Sequence, residues 1–304
     1  MARRLDLHDW NDLPNTSRAG QSWALVEGDC IAALERLPPR SVDLIFADPP
    51  YMLSNGGTTC QGGKRVSVNK GEWDASRGLE GDLDFHTRWL AACRRALKPS
   101  GTIWISGTQH VIFGVGYAMQ RLGFHLLNTV TWYKPNASPN LACRFFTHST
   151  ELLLWASPMK SKPLAHRFNY RDMKAENGGK QMRDLWSICE RPEPEGEQVV
   201  WGIPTPGPRE KLHGRHPTQK PVALLERVVA ASAAPGDLVL DPFCGSGTTG
   251  VAAVRAGCRF LGLEMDPRYL DLAARRLTAV EAGDETLGAL PRPALAVAGS
   301  DLRP

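Results

Sequence analysis

Short runs of apolar residues alternate along this chain with stretches whose apolar positions recur at helical spacing. Trp23-Ala-Leu-Val-Glu-Gly-Asp29 predicts a strand entering a turn, and Ile31 to Leu37 a helix stopped by Pro38-Pro39. Val42 to Asp48 predicts a buried strand, because Pro49-Pro50 cannot continue it. Phe85 to Lys98 predicts a helix ended by Pro99-Ser-Gly101, Thr102 to Ser106 a strand, and His110 to Leu122 a helix closed by Gly123. Strands follow near Leu126 to Trp132 and Glu151 to Trp155. The rhythm lapses between Pro158 and His216, then resumes. Val222 to Ala234, Thr248 to Ala256 and Arg268 to Val280 predict helices, with strands at Asp237 to Leu240 and Phe260 to Glu264. Strands and helices alternating in this way predict an α/β fold: a mostly parallel, doubly wound sheet covered on both faces.

Residues 1–22 lack periodicity and are expected to form an arm, and the Ala/Pro/Gly-rich residues 284–304 a disordered tail. Between lie a first α/β half at 23–156, an insertion at 157–215 and a second half at 216–283. No apolar run reaches the roughly 18 residues of a membrane span. No apolar run follows the early arginines either, so no secretory signal is expected. The 36 basic and 32 acidic residues balance too closely to argue for nucleic-acid binding. Their placement says more: Lys160 to Arg183 holds seven basic residues against Asp172 and Glu176. The seven cysteines show no C-x-x-C spacing and no matching His pair, so no metal site is expected and the thiols read as small core residues of a reduced, cytoplasmic protein.

Two motifs carry chemistry. Leu240-Asp-Pro-Phe-Cys-Gly-Ser-Gly-Thr-Thr-Gly250 takes a strand through a glycine turn into a helix, and Glu264 ends the next strand. Glycines let a ligand approach the backbone, the helix N-terminus offers unpaired N–H groups, and a carboxylate can accept from ribose hydroxyls. A nucleoside cofactor follows; because Gly245, Gly247 and Gly250 also satisfy G-x-G-x-x-G, a nicotinamide dinucleotide fits as well. The second motif is Asp48-Pro49-Pro50-Tyr51 at the carboxyl end of a buried strand, the edge where open α/β sheets bind ligands.

Together these motifs resemble the β class of amino-group DNA methyltransferases, in which the catalytic tetrapeptide precedes the cofactor loop. Further matches are Trp132-Tyr-Lys-Pro-Asn-Ala-Ser-Pro-Asn140, Arg144-Phe-Phe-Thr-His-Ser-Thr-Glu151 and His216-Pro-Thr-Gln-Lys-Pro221. Leu53-Ser-Asn-Gly-Gly57, Ser67-Val-Asn-Lys-Gly-Glu-Trp-Asp74 and Gly179-Lys-Gln-Met-Arg183 are similar to the DpnA and MboII-type adenine methyltransferases of restriction–modification systems. The likeness runs from about residue 23 to 280, while the Pro-rich stretch Arg191 to Arg209 departs from the pattern.

The resemblance implies a circularly permuted, Rossmann-like S-adenosylmethionine-dependent methyltransferase fold, its two chain halves completing one sheet around a target-recognition insertion. It implies transfer of a methyl group from S-adenosyl-L-methionine to the N6 amino group of adenine in DNA, with no metal. Asp48 and the Pro49 carbonyl would accept the amino hydrogens, Pro50 would fix the turn, and Tyr51 would stack on a flipped or single-stranded base. Asp29, Asp241, Phe243, Gly245, Gly247 and Glu264 would hold the cofactor, with Thr218 and Lys220 completing its wall. Lys64, Arg65, Arg144, Arg183 and the basic run would meet DNA phosphates, and Ser54 to Lys70 would form a mobile closing loop. His148 and the tryptophans at 132, 155 and 186 read as core. A homodimer and a restriction endonuclease of the same system are further implied partners. The alternatives are an N4-cytosine methyltransferase, an NAD(P)-dependent oxidoreductase, and an inactive DNA-binding module on the same fold.

Overall fold

The computed structural model describes residues 16–54, 58–61, 64–67, 74–137, 139–141, 143–186, 203–284 and 287. A nine-stranded sheet is built from β1 (Thr16–Ala19), β2 (Trp23–Glu27), β3 (Val42–Ala47), β6 (Leu97–Gly107), β7 (His125–Tyr133), β8 (Thr150–Ser157), β9 (Leu185–Trp186), β10 (Leu238–Asp241) and β11 (Arg259–Glu264). A separate antiparallel hairpin joins β4 (Thr58–Gln61) to β5 (Lys64–Ser67). The helices are α1 (Cys30–Arg36), α2 (Gly78–Ala96), α3 (Ile112–Arg121), α4 (Tyr170–Glu176), α5 (Val222–Ser232), α6 (Thr248–Arg255) and α7 (Pro267–Glu281).

Side chains on successive strand residues point to opposite faces, and both faces are apolar here because both are covered. Ile45, Leu240 and Leu261 lie on one face with Leu34 of α1, Trp89 of α2 and Val115 of α3. Leu44, Phe46, Val239 and Phe260 lie on the other with Leu225 of α5, Val251 of α6 and Leu277 of α7. The expected layering of helices on both faces is therefore present.

The strand order is β1-β2-β11-β10-β3-β6-β8-β7-β9. β2, β11, β10, β3 and β6 pair in parallel, Val239 lying beside Leu44 and Leu263 beside Val26. The second half of the chain thus inserts two strands between β2 and β3 of the first. β2, β3, β10 and β11 all end at one edge, so the turns that follow Glu27, Ala47, Asp241 and Glu264 are brought together by topology.

Several segments differ from the sequence expectations. Thr16–Ala19, placed in the arm, is an edge strand on β2, and Leu287, placed in the tail, is buried in the core. α2 starts seven residues before Phe85, and β6 begins at Leu97, an irregularity opposite Val42 and Leu44 carrying the ladder past Pro99. The segment from Ser54 to Lys70 contains the β4–β5 hairpin rather than loop alone. Within the insertion, α4 and β9 both form; residues 187–202 fall outside the described residues.

Part of the basic run lies away from the Asp48 turn. β8 runs antiparallel to β6, so Ser157 leaves the sheet at the amino edge, opposite the Asp48 turn. The Arg167 N–H donates to the Ser100 carbonyl and its guanidinium lies 3.4 Å from Asp237, which holds that part of the run at the amino edge.

Candidate active site

A cavity of about 590 Å³ opens at the carboxyl edge, within the range of roughly 300–1,000 Å³ typical of small-molecule sites. Its lining draws on all four strand ends: Asp29 after β2, Asp48 and Tyr51 after β3, Phe243 and Gly245 after β10, and Glu264 of β11. Thr218 and His216 complete one side, Arg77, Asp74 and Phe85 another.

Asp29 does two jobs. Its side chain accepts the Ala32 N–H at 2.9 Å, capping α1 as an N-terminal aspartate does, and it still faces the cavity. Glu264 accepts backbone N–H bonds from Gly245 at 2.7 Å, Met265 at 2.9 Å and Asp266 at 2.8 Å. A carboxylate has about four acceptor positions, so about one is left for a ligand hydroxyl. Burial pushes the Glu264 carboxyl above its usual range, against the pull of those three N–H donors. Phe243 packs edge-on to Trp89 at 5.3 Å while its surface closes the cavity. Gly245 has φ +51°, and a Cβ there would sit 3.1 Å from the His216 ring.

Two expected cofactor residues lie behind this wall. Asp241 accepts from the Phe243 N–H at 2.9 Å and the Thr249 hydroxyl at 2.5 Å, bracing the glycine turn from within the core. Gly247, at φ +74°, permits close packing against Ala273. Lys220, expected on the same wall, is buried and donates to Asp48 Oδ2 at 2.6 Å.

That contact belongs to a buried polar cluster. Tyr51 donates its one hydroxyl proton to Asp48 Oδ1 at 2.7 Å, and its oxygen also lies 3.1 Å from Glu151 Oε2 and 2.9 Å from Ser106 Oγ. Lys134 donates to Glu151 Oε1 at 2.9 Å, and Lys220 Nζ lies 3.6 Å from Glu151 Oε2. The Lys220 ammonium also sits 5.0 Å from the centre of the Tyr51 ring. Two acids and two ammonium groups cancel, which a low-dielectric site requires. Burial raises the Asp48 carboxyl above its usual range, with Lys220 pulling the other way. Burial works in the same sense on Glu151, but Lys220 and Lys134 overcome it and hold its pKa at about 2. Burial opposes the charge of Lys220, yet Asp48 and Glu151 raise its pKa above the ordinary value.

Sequence reasoning assigned no role to Glu151, Lys134 or Ser106. The signal was present: Glu151 opens the apolar run Leu-Leu-Leu-Trp155, where a lone charge on a buried strand demands a partner. The expected DNA contacts are spread apart. Arg144 is exposed on the β7–β8 connection, which lies at the carboxyl edge with the cavity, and Arg183 is exposed just before β9. Lys64 and Arg65 belong to β5, whose side chains fall outside the described residues. Trp132, Trp155 and Trp186 are buried as expected, whereas His148 is exposed, its ring 5.2 Å from that of Phe145. Cys143 is likewise exposed, unlike Cys30, Cys93, Cys244 and Cys258.

Residues 42–275 match a DNA methylase family, that of the N6 and N4 methyltransferases. The chain is 48% identical over 255 residues to the type II methyltransferase M2.LlaDCHI of Lactococcus lactis subsp. cremoris, covering 83% of this chain and 88% of that one. It is 47% identical to the type II methyltransferase M2.DpnII of Streptococcus pneumoniae, over 84% of this chain and 89% of the relative. The crystal structure of an M1.HpyAVI–SAM complex superposes with a TM-score of 0.56 at 25% identity, over 84% of this chain and 98% of the other. The chain belongs to the N6/N4 DNA methylase family and is an S-adenosyl-L-methionine-dependent DNA methyltransferase with the α/β fold of that family.

Proposed function

We propose that the enzyme methylates the N6 amino group of adenine at a specific DNA site, with Asp48 and the Pro49 carbonyl as the acceptors that direct the reacting nitrogen. The observation that carries this reading is the position of Asp48: a partly buried carboxylate on the cavity wall, fixed by Tyr51 and Lys220, at the head of Asp-Pro-Pro-Tyr.

The cavity suits the cofactor. Asp29 and Glu264 offer acceptors for its adenine amino group and ribose, Phe243 an apolar surface, and Gly245 a wall without a side chain. S-Adenosyl-L-methionine supplies an electrophilic methyl group on a sulfonium. The residues of the chain do the rest. An aromatic amino group is a poor nucleophile because its lone pair is delocalised into the ring. Asp48 and the Pro49 carbonyl, each accepting an N–H, favour a tetrahedral nitrogen whose lone pair points at the methyl carbon. They also stabilise the positive charge that forms there, as preorganised electrostatics require. One N–H proton must leave afterwards, and Asp48 is suited to receive it because burial makes its carboxyl more basic than an exposed aspartate. Tyr51 presents its ring as a platform for the extruded base.

For the DNA backbone we propose Arg144 on the β7–β8 connection, with Lys64 and Arg65 of the hairpin and Arg183 before β9. The amino-edge part of the basic run is left out. We further propose target recognition by the insertion at 157–215 and, from the kinship with type II methyltransferases, a cognate restriction endonuclease and a dimeric assembly.

Enzymatic digestion of methylated DNA followed by nucleoside mass spectrometry tests the choice of base. N6-methyladenine is the expected product; N4-methylcytosine alone would transfer the same amino-group chemistry to the other base.

A further inference from the structure

We infer that Glu151 is a positioning residue for methyl transfer, acting as the alternative seat for the Lys220 ammonium when the target base takes its place against Asp48. This rests on the reading of Asp48 as the acceptor of the reacting amino group.

The geometry is specific. Lys220 Nζ lies between two carboxylates, 2.6 Å from Asp48 Oδ2 and 3.6 Å from Glu151 Oε2. The other Asp48 oxygen already holds the Tyr51 hydroxyl. An amino group that approaches Asp48 Oδ2 meets the ammonium already on that oxygen, and an ammonium displaced inside a buried site needs a second anion nearby. Glu151 is that anion, and a shift of about an ångström, a small side-chain adjustment, brings Lys220 into hydrogen-bond range of it. Glu151 is itself held: Lys134 donates to its far oxygen and Ser106 to the near one, which the Tyr51 hydroxyl also flanks at 3.1 Å. It stands on β8 directly opposite Trp132, so its backbone is fixed by the sheet.

Glu151 touches neither cavity nor base in this arrangement and acts through Lys220 and Tyr51. The charged and titratable groups around Asp48 are Tyr51 on its own turn, Lys220 before α5, Glu151 of β8 and Asp241 of β10, with Lys134 behind Glu151. Removing the Glu151 charge removes an anion from the surroundings of Asp48 and makes its carboxylate easier to form. Removing the Lys134 charge does the opposite. The acid limb of kcat/KM for DNA at saturating cofactor, which reports ionisation of the enzyme before DNA binds, should thus move in opposite directions in the two variants.

The test uses the full-length enzyme, with wild type as control for methyl transfer itself. Glu151→Gln should lower kcat by about 10- to 100-fold, the scale of a misplacement of up to an ångström, with cofactor affinity unchanged. Its acid limb should move to lower pH by about one unit, the lower end for a close charge. Lys134→Met should move the limb to higher pH. Limbs that stay put, or move together, overturn the inference while wild-type activity leaves the methyltransferase reading standing. Should Glu151→Gln fail to fold, judged by its thermal midpoint, Lys134→Met decides alone: an upward shift supports the role, and an unmoved limb refutes it. A wild type that transfers no methyl group to DNA would instead count against the reading of Asp48 beneath it.

Discussion

At the scale of single residues, the site depends on a few atoms whose freedom has been removed. Glu264 spends three acceptor positions on the backbone of its own loop and the glycine turn, so its orientation is set before any ligand arrives. Gly245 makes that bond possible at φ +51°, a conformation that costs other residues roughly 1–2 kcal/mol. Gly245→Ala would add that strain and place a methyl group 3.1 Å from the His216 ring. We expect a lower denaturation midpoint and weaker binding of S-adenosyl-L-methionine by calorimetry; a variant equal to wild type in both would show that the turn has room to relax. The sequence exposed these residues unevenly. Asp48, Tyr51, Phe243 and Glu264 were legible because each sits where an apolar strand ends. Lys220 was found, but its contact with Asp48 was not, since a linear sequence does not show that the segment before α5 reaches across to the turn after β3. Glu151 was missed as a functional group for the same reason: its partners are Tyr51, far upstream, and Lys220, far downstream.

At the scale of elements, the central strands were readable because both faces are buried and the runs are continuously apolar. The edges were not. β1 is a polar edge strand, and β9 is two residues long, too short to show a period. The β4–β5 pairing carried a sequence signal: β-branched Thr58, Thr59 and Val66 on either side of a Gly-Gly pair. Its flanking glycines drew it into a loop. α2 extends upstream through Gly78-Leu-Glu-Gly-Asp-Leu-Asp84, a polar turn with little apolar face, where local hydrogen bonds continue what packing begins. Asp82 contributes by accepting from the Ser76 hydroxyl and the Arg77 N–H just ahead of the helix.

At the scale of the whole molecule, strand order explains why a permuted chain still makes one site. Because β10 and β11 enter between β2 and β3, turns separated by most of the chain meet at one edge. The same topology divides the positive charge. Arg144 shares the edge with the cavity, while the residues around Arg167 lie at the opposite edge, about 20 Å away for strands of six residues. Binding to DNA should weaken with salt for each phosphate contact. Arg144→Ala should therefore reduce the slope of log affinity against log salt by about one, and Arg167→Ala should leave it unchanged. The reverse result would place DNA on the other side of the sheet. The account as a whole turns on Asp48, and one comparison tests it most directly: methyl transfer from labelled S-adenosyl-L-methionine to unmethylated DNA by wild type and Asp48→Ala, alongside cofactor binding by both. We predict a loss of about 100-fold or more in turnover with cofactor binding largely retained; turnover equal to wild type would remove Asp48 from the mechanism.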